Sequence, residues 1–191
     1  MNGAAALELS GRNFRQRLDH VESGDWARPT PCDDWSVRDL ANHVIGGNFR
    51  YVMILGGEPA DTILRTRDEG WFGADPLGSF DDGFARVTQA FSAPGILRAA
   101  VRHPKLGAMT GAELRVLRVN ELTVHGWDLA RALGSDDRLD EGVVLWLLQR
   151  LEPLLAASGL YKAGVADDLT AASPQTRLLS LLGRAGERGS V

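Results

Sequence analysis

The chain has a single cysteine, Cys32, and only two lysines, Lys105 and Lys162, against 19 arginines. One thiol excludes an internal disulfide framework and any multi-cysteine zinc site, which fits a reducing compartment. No window approaches the roughly 18 consecutive apolar residues of a membrane span, and Met1 to Leu9 lacks a basic segment leading into an apolar one. The expectation is a cytoplasmic protein with no membrane attachment. Positive charge is not in excess either. The 21 basic and 25 acidic residues leave a net charge of -4, too little basic field to hold a phosphate backbone, so nucleic acid is not an expected partner. Internal repeats and low-complexity blocks are absent as well. What is present is 191 residues, 44% of them hydrophobic. A chain of that length buries roughly 70% of its unfolded surface in one core, so residues 1–191 read as a single domain.

Apolar spacing divides the chain into helices. Leu7, Phe14, Leu18 and Val21 predict a first helix over 4–22, closed by Ser23-Gly24. Pro29 and Pro31 then enforce a loop whose tryptophans, Trp26 and Trp35, can anchor it on the core. Ser36 and Asp39 resemble a capping box opening a helix over 37–55, with Val37, Leu40, Val44, Tyr51 and Leu55 as its stripe. Gly46-Gly47 inside it costs about 1 kcal/mol per residue relative to alanine, so a close contact or a ligand must need the missing side chains. The connection over 58–78 is long for a bundle and is expected to cross the molecule or cover something. Ser79 is expected to cap a helix over 80–93, Thr110 and Glu113 form a capping box for a long helix over 111–133, and Gly134 ends that helix. A helix over 141–157, kinked or ended by Pro153, and a short one from Pro174 to Gly183 complete the set. No segment alternates with period two, so no sheet is expected and the fold class is all-α.

One stripe breaks its own pattern. The long helix starts it with Leu114 and Leu117 but continues it with Glu121, His125 and Asp128. Glu121 and His125 are one turn apart on one face and can chelate a single ion. Without compensation their burial would cost several kcal/mol, and a Glu-His hydrogen bond or a salt bridge to Arg118 or Arg131 would compensate equally well. His43, at the edge of the 37–55 stripe, reads alone as a satisfied core histidine. Together with Glu121 and His125 it gives a three-ligand set that leaves an open position on zinc, and the same two-histidine, one-carboxylate set suits ferrous iron. Asp128, the candidate catalytic residue, can act as ligand, as general base or as the acceptor that orients His125, and the last is favoured. Cys32 reads as structural, with a nucleophile or fourth ligand as the alternatives, since no base or positive field is evident beside it. His20 and His103 are expected at the surface.

The stretch Pro29-Thr30-Pro31-Cys32-Asp33-Asp34-Trp35-Ser36-Val37-Arg38-Asp39-Leu40-Ala41-Asn42-His43, together with Glu121-Leu122-Thr123-Val124-His125-Gly126-Trp127-Asp128-Leu129-Ala130-Arg131, resembles the mycothiol-dependent maleylpyruvate isomerase family within the DinB-like superfamily. Ser173-Pro174-Gln175-Thr176-Arg177-Leu178-Leu179 extends the resemblance to small single-domain members. It implies a four-helix bundle with a long crossover after the second helix and additional C-terminal helices. It also implies a divalent metal, zinc above all with nickel or iron as alternatives, held by His43, Glu121 and His125. The implied activity is transfer or isomerisation in which the metal activates mycothiol, the low-molecular-weight thiol of actinobacteria, toward a small electrophile. The isomerase carries a second, sterol-carrier-like domain for which the residues after Gly134 leave no room, so maleylpyruvate itself is not carried over. A non-catalytic metal- or small-molecule-binding bundle is the alternative from another class, and a bundle with a purely structural polar network is a third. A homodimer is a possible assembly.

Overall fold

A computed structural model describes residues 1–157 and 172–184. The loop expected between the last two helices lies largely outside these residues. Four helices form the bundle: α1 (Gly3–Asp19), α2 (Val37–Leu55), α4 (Pro76–Phe91) and α5 (Gly111–Leu133). Helix α1 packs on α5, α2 packs on both α4 and α5, α6 (Glu141–Ala157) packs on α5, and α7 (Pro174–Leu181) packs on α6. The all-α class is therefore the observed one, a four-helix bundle with a long connection after α2.

Both capping boxes form. The Ser36 side chain accepts from Asp39 N while Asp39 accepts from the Ser36 backbone, and Thr110 and Glu113 do the same at the start of α5. Helix α4 begins earlier than expected, at Pro76 with Asp75 as its cap. Asp75 accepts from Gly78 N, and proline at the first helical position is preorganised for entry, so this pair outcompetes Ser79. Pro153 lies inside α6, which continues to Ala157.

The connection between α2 and α4 contains a short helix, α3 (Ala60–Arg65), and a 3₁₀ turn over Thr66–Asp68. It is strapped across α2. Asn42 donates to Glu69 O at 3.0 Å and accepts from Phe72 N at 2.8 Å, and Trp71 stacks on Phe49. The stretch before α5, where no sheet is expected, instead forms an antiparallel hairpin of β1 (Ala100–His103) and β2 (Gly107–Thr110). Each strand is only four residues long, too short to establish an alternation in the sequence.

Candidate functional site

On the α2–α5 interface His43 from α2 lies beside both Glu121 and His125 from α5, although among the described residues these three do not form a group with all ligand atoms within 4.8 Å. His43 Nε2 lies 4.0 Å from Glu121 Oε1, and the His43 and His125 rings sit edge to face with centroids 5.2 Å apart. Trp35, from the loop before α2, covers both imidazoles, with centroids 4.7 Å from His43 and 5.9 Å from His125. Trp35 is held there by a tight turn. Its N–H donates to Cys32 O, Thr30 N–H returns to Trp35 O, and Pro29 pairs with Ser36 as an isolated bridge.

Arg118 explains how Glu121 tolerates its position. The Arg118 side chain is fully buried, and Nη1 donates to Glu121 Oε2 at 2.9 Å while Nη2 donates to Val44 O and Asn48 Oδ1. Of the two cations expected as partners, Arg118 is the one that pairs. Arg131 turns instead to Asp137 and the Trp127 ring. Burial raises the Glu121 carboxyl, yet the Arg118 guanidinium holds it below its ordinary value. The carboxylate is thus held ionised, with Oε2 paired to Arg118 and Oε1 toward His43.

The glycine pair in α2 has a matching cause. A Cβ on Gly47 would collide with Arg118 Nη1, and a Cβ on Gly46 would collide with Trp71 and with Arg50 Nη1 at 2.6 Å. The missing side chains make room for two buried guanidinium groups and a tryptophan.

Beneath His125 lies Asp128, fully buried. Its Oδ2 is 2.9 Å from His125 Nδ1, and Arg184 Nε and Nη2 donate to Oδ1 and Oδ2 at 2.7 and 2.8 Å. Burial pushes this carboxyl up, but the hydrogen bonds from His125 and Arg184 bring it below its ordinary value. With the carboxylate ionised, His125 Nδ1 is the donor and Nε2 is left as the free ligand atom. Cys32 Sγ donates to Asp128 Oδ2 at 3.2 Å and lies 3.8 Å from His125 Nδ1. The cysteine therefore does have a His-Asp pair beside it, contrary to expectation. That pair does not make a nucleophile. Burial, and then the Asp128 charge, push the thiol up to about 11.

His43 is driven the other way, down to about 3, chiefly by burial, against a smaller opposing pull from Glu121. It is neutral at physiological pH, the form that binds metals. Cys32, His125 and Asp128 also bring ligand atoms within 4.8 Å of one another, but Asp128 is already engaged by Arg184. His20 is exposed as expected, whereas His103 is half-buried and lines a cleft with His43, Arg50, Tyr51 and Glu121. Arg50, Trp35, Arg184 and His103 are the residues of this neighbourhood that sequence reasoning did not place there. Among the described residues no helix is long and apolar enough to cross a membrane.

Residues 7–130 match a family model described as the mycothiol maleylpyruvate isomerase N-terminal domain. Two uncharacterized proteins of Mycobacterium tuberculosis are each 33% identical to the chain over 128 residues, which span 66% of it and 65% of each relative. In backbone the chain is similar to the crystal structure of the mycothiol-dependent maleylpyruvate isomerase and to that of its histidine-to-alanine mutant. Each superposes with a TM-score of 0.60 at 13% identity, over 75% of this chain and 65% of the other.

Proposed function

Since the chain belongs to the mycothiol maleylpyruvate isomerase N-terminal domain family, we propose that it is a divalent-metal-dependent transferase or isomerase that uses mycothiol against a small electrophile. The observation that carries this reading is the convergence of His43, Glu121 and His125, with His43 Nε2 4.0 Å from Glu121 Oε1 and the two imidazole rings in edge contact. The donor set fits the ion: two imidazoles and one carboxylate oxygen are the ligands that zinc takes in sites with an open position. Nickel and ferrous iron accept the same set. When bound there, the ion supplies Lewis acidity that makes a coordinated thiol available as thiolate near neutral pH.

The protein's own residues prepare that site. Burial keeps His43 deprotonated. Arg118 occupies Glu121 Oε2 and leaves Oε1 toward the histidines. Asp128 fixes the His125 tautomer and ring angle, which supports the orienting role among the three considered for it. Trp35 shields one side of both rings from water. Cys32, held as a thiol, does not compete with the incoming sulfur.

Metal stoichiometry on protein purified without chelator or added metal tests the reading. About one divalent ion per chain is expected, with loss of both the ion and thiol conjugation in His43→Ala and His125→Ala. Conjugation that survives complete metal removal, or a site that refuses added zinc, overturns it.

A further inference from the structure

Between α1, α4 and α5 the bundle leaves a pocket of about 470 Å³, within the roughly 300–1,000 Å³ typical of small-molecule sites. None of His43, Glu121, His125 and Asp128 lines it. Its floor is apolar. Leu7 of α1 and Phe91 of α4 are buried there, and Leu97, from the turn that leads into β1, is half-buried. Its charge runs against the sign of the molecule. On a chain of net -4 it is lined by two arginines, Arg98 and Arg115, against one carboxylate, Glu8. Among the described residues neither arginine has a carboxylate within 4.0 Å.

Arg115 departs furthest from an ordinary surface cation. Its Nε is closed to solvent and has no hydrogen-bond partner. The guanidinium rests against Gly3 at the start of α1, where a Cβ would stand 2.8 Å from Nε and collide with Nη2. The missing side chain of Gly3 leaves the space that the group fills. Burial, and then the like charge of Arg150, lower the Arg115 guanidinium from its ordinary value, but an arginine stays protonated. A cation held partly out of water with no counter-ion is stabilised by an anion that reaches it. Thr88, on the same wall, has a hydroxyl oxygen that is buried without a partner, and its O–H can donate to a carboxylate. Arg98 and Glu8 are exposed and stand at the mouth.

We infer that this pocket binds a small amphiphilic carboxylate, with the head between Arg98 and Arg115 and the apolar body over Leu7, Phe91 and Leu97. The pocket shares no residue with the His43, Glu121 and His125 site, so neither depends on the other. The full chain as purified is titrated calorimetrically with octanoate and with phenylacetate, which carry an aliphatic and an aromatic body on the same head. Octanol and phenylacetamide serve as their neutral counterparts, and acetate as the head without a body.

At least one of the two carboxylates is expected to saturate the protein with a Kd below about 1 mM, and the tighter of them identifies the body as chain or ring. The neutral counterparts and acetate are expected to bind at least tenfold more weakly. Arg115→Gln is expected to lose at least tenfold in affinity with its helical circular dichroism unchanged. Arg98→Glu, which reverses an exposed charge and leaves the core untouched, is expected to lose at least as much. Saturation by neither carboxylate overturns the site. A neutral counterpart that binds as tightly as its acid overturns the anionic head, and acetate as tight as either overturns the apolar body. Unaltered affinity in Arg98→Glu places the ligand elsewhere and overturns the site even if Arg115→Gln does not fold.

Discussion

At the scale of single residues, the chemistry turns on which groups are held charged and which are held neutral. Asp128 is the pivot, because one buried carboxylate accepts from His125, Arg184 and Cys32 together. Asp128→Asn keeps the shape but offers an amide where three donors converge. Zinc affinity, measured by competition with a chelating dye, is expected to weaken 10- to 100-fold, the range seen when an outer partner of a ligating histidine is lost. Arg184→Met, which leaves the His125–Asp128 contact in place, is expected to weaken it less. Cys32 provides a separate reading of the same environment. Its thiol titrates at about 11 rather than the ordinary 9.0, so at pH 8 the thiolate fraction is roughly 100-fold below that of a free cysteine. Iodoacetamide is expected to label the folded protein at least about 100-fold more slowly than the urea-unfolded chain, with the rate still rising above pH 9. Fast labelling that levels off near pH 8 would contradict the Asp128 contact.

At the scale of elements, the α2–α5 pair shows where a sequence can be read and where it cannot. The two capping boxes and the Gly134 terminus are local signals, and the helices over 37–55 and 111–133 carry the observed boundaries. Glu121, His125 and Asp128 were legible because polar side chains interrupt an apolar stripe. Arg118 was visible only as one of two possible partners, since its pairing depends on a glycine 71 positions earlier in another helix. The β1–β2 hairpin left no pattern, and neither the Cys32–Asp128 nor the Arg184–Asp128 contact has a local cause. These meetings across 96 and 56 residues are set by packing alone.

Gly47 turns that packing into a prediction. In an unobstructed helix interior Gly→Ala stabilises by about 1 kcal/mol. Here the new methyl meets Arg118 Nη1, whose side chain is locked by Glu121, Val44 and Asn48. Overpacking of this kind costs about 1–3 kcal/mol. Urea denaturation of Gly47→Ala is therefore expected to show no gain and a net loss of up to about 2 kcal/mol. A gain would mean that Arg118 moves freely and that the Glu121 geometry is not fixed.

At the scale of the whole molecule, the site couples charge to folding, and the sign of that coupling is determined. His43 has a folded-state value of about 3 against an ordinary 6.5, so the unfolded chain binds its proton first as pH falls. Its contribution to stability is complete above about pH 6.5 and is lost progressively as pH drops toward 3, at up to about 1.4 kcal/mol per unit. Glu121 and Asp128, both held below their ordinary values, act in the same direction at lower pH. Metal-free protein should thus lose stability steeply on acidification, and His43→Gln, which cannot be protonated, should flatten the limb between pH 6 and 4. A divalent ion that binds only the folded state adds to this by mass action, giving about 2.7 kcal/mol when free metal is 100-fold above Kd. For a chain of this size that corresponds to a rise in Tm of about 5–10 °C. Differential scanning calorimetry at pH 7.5 is expected to show the rise on adding zinc to the wild type and none in His125→Ala. An equal rise in both would place the ion elsewhere on the molecule and leave His43, Glu121 and His125 as a structural hydrogen-bond network.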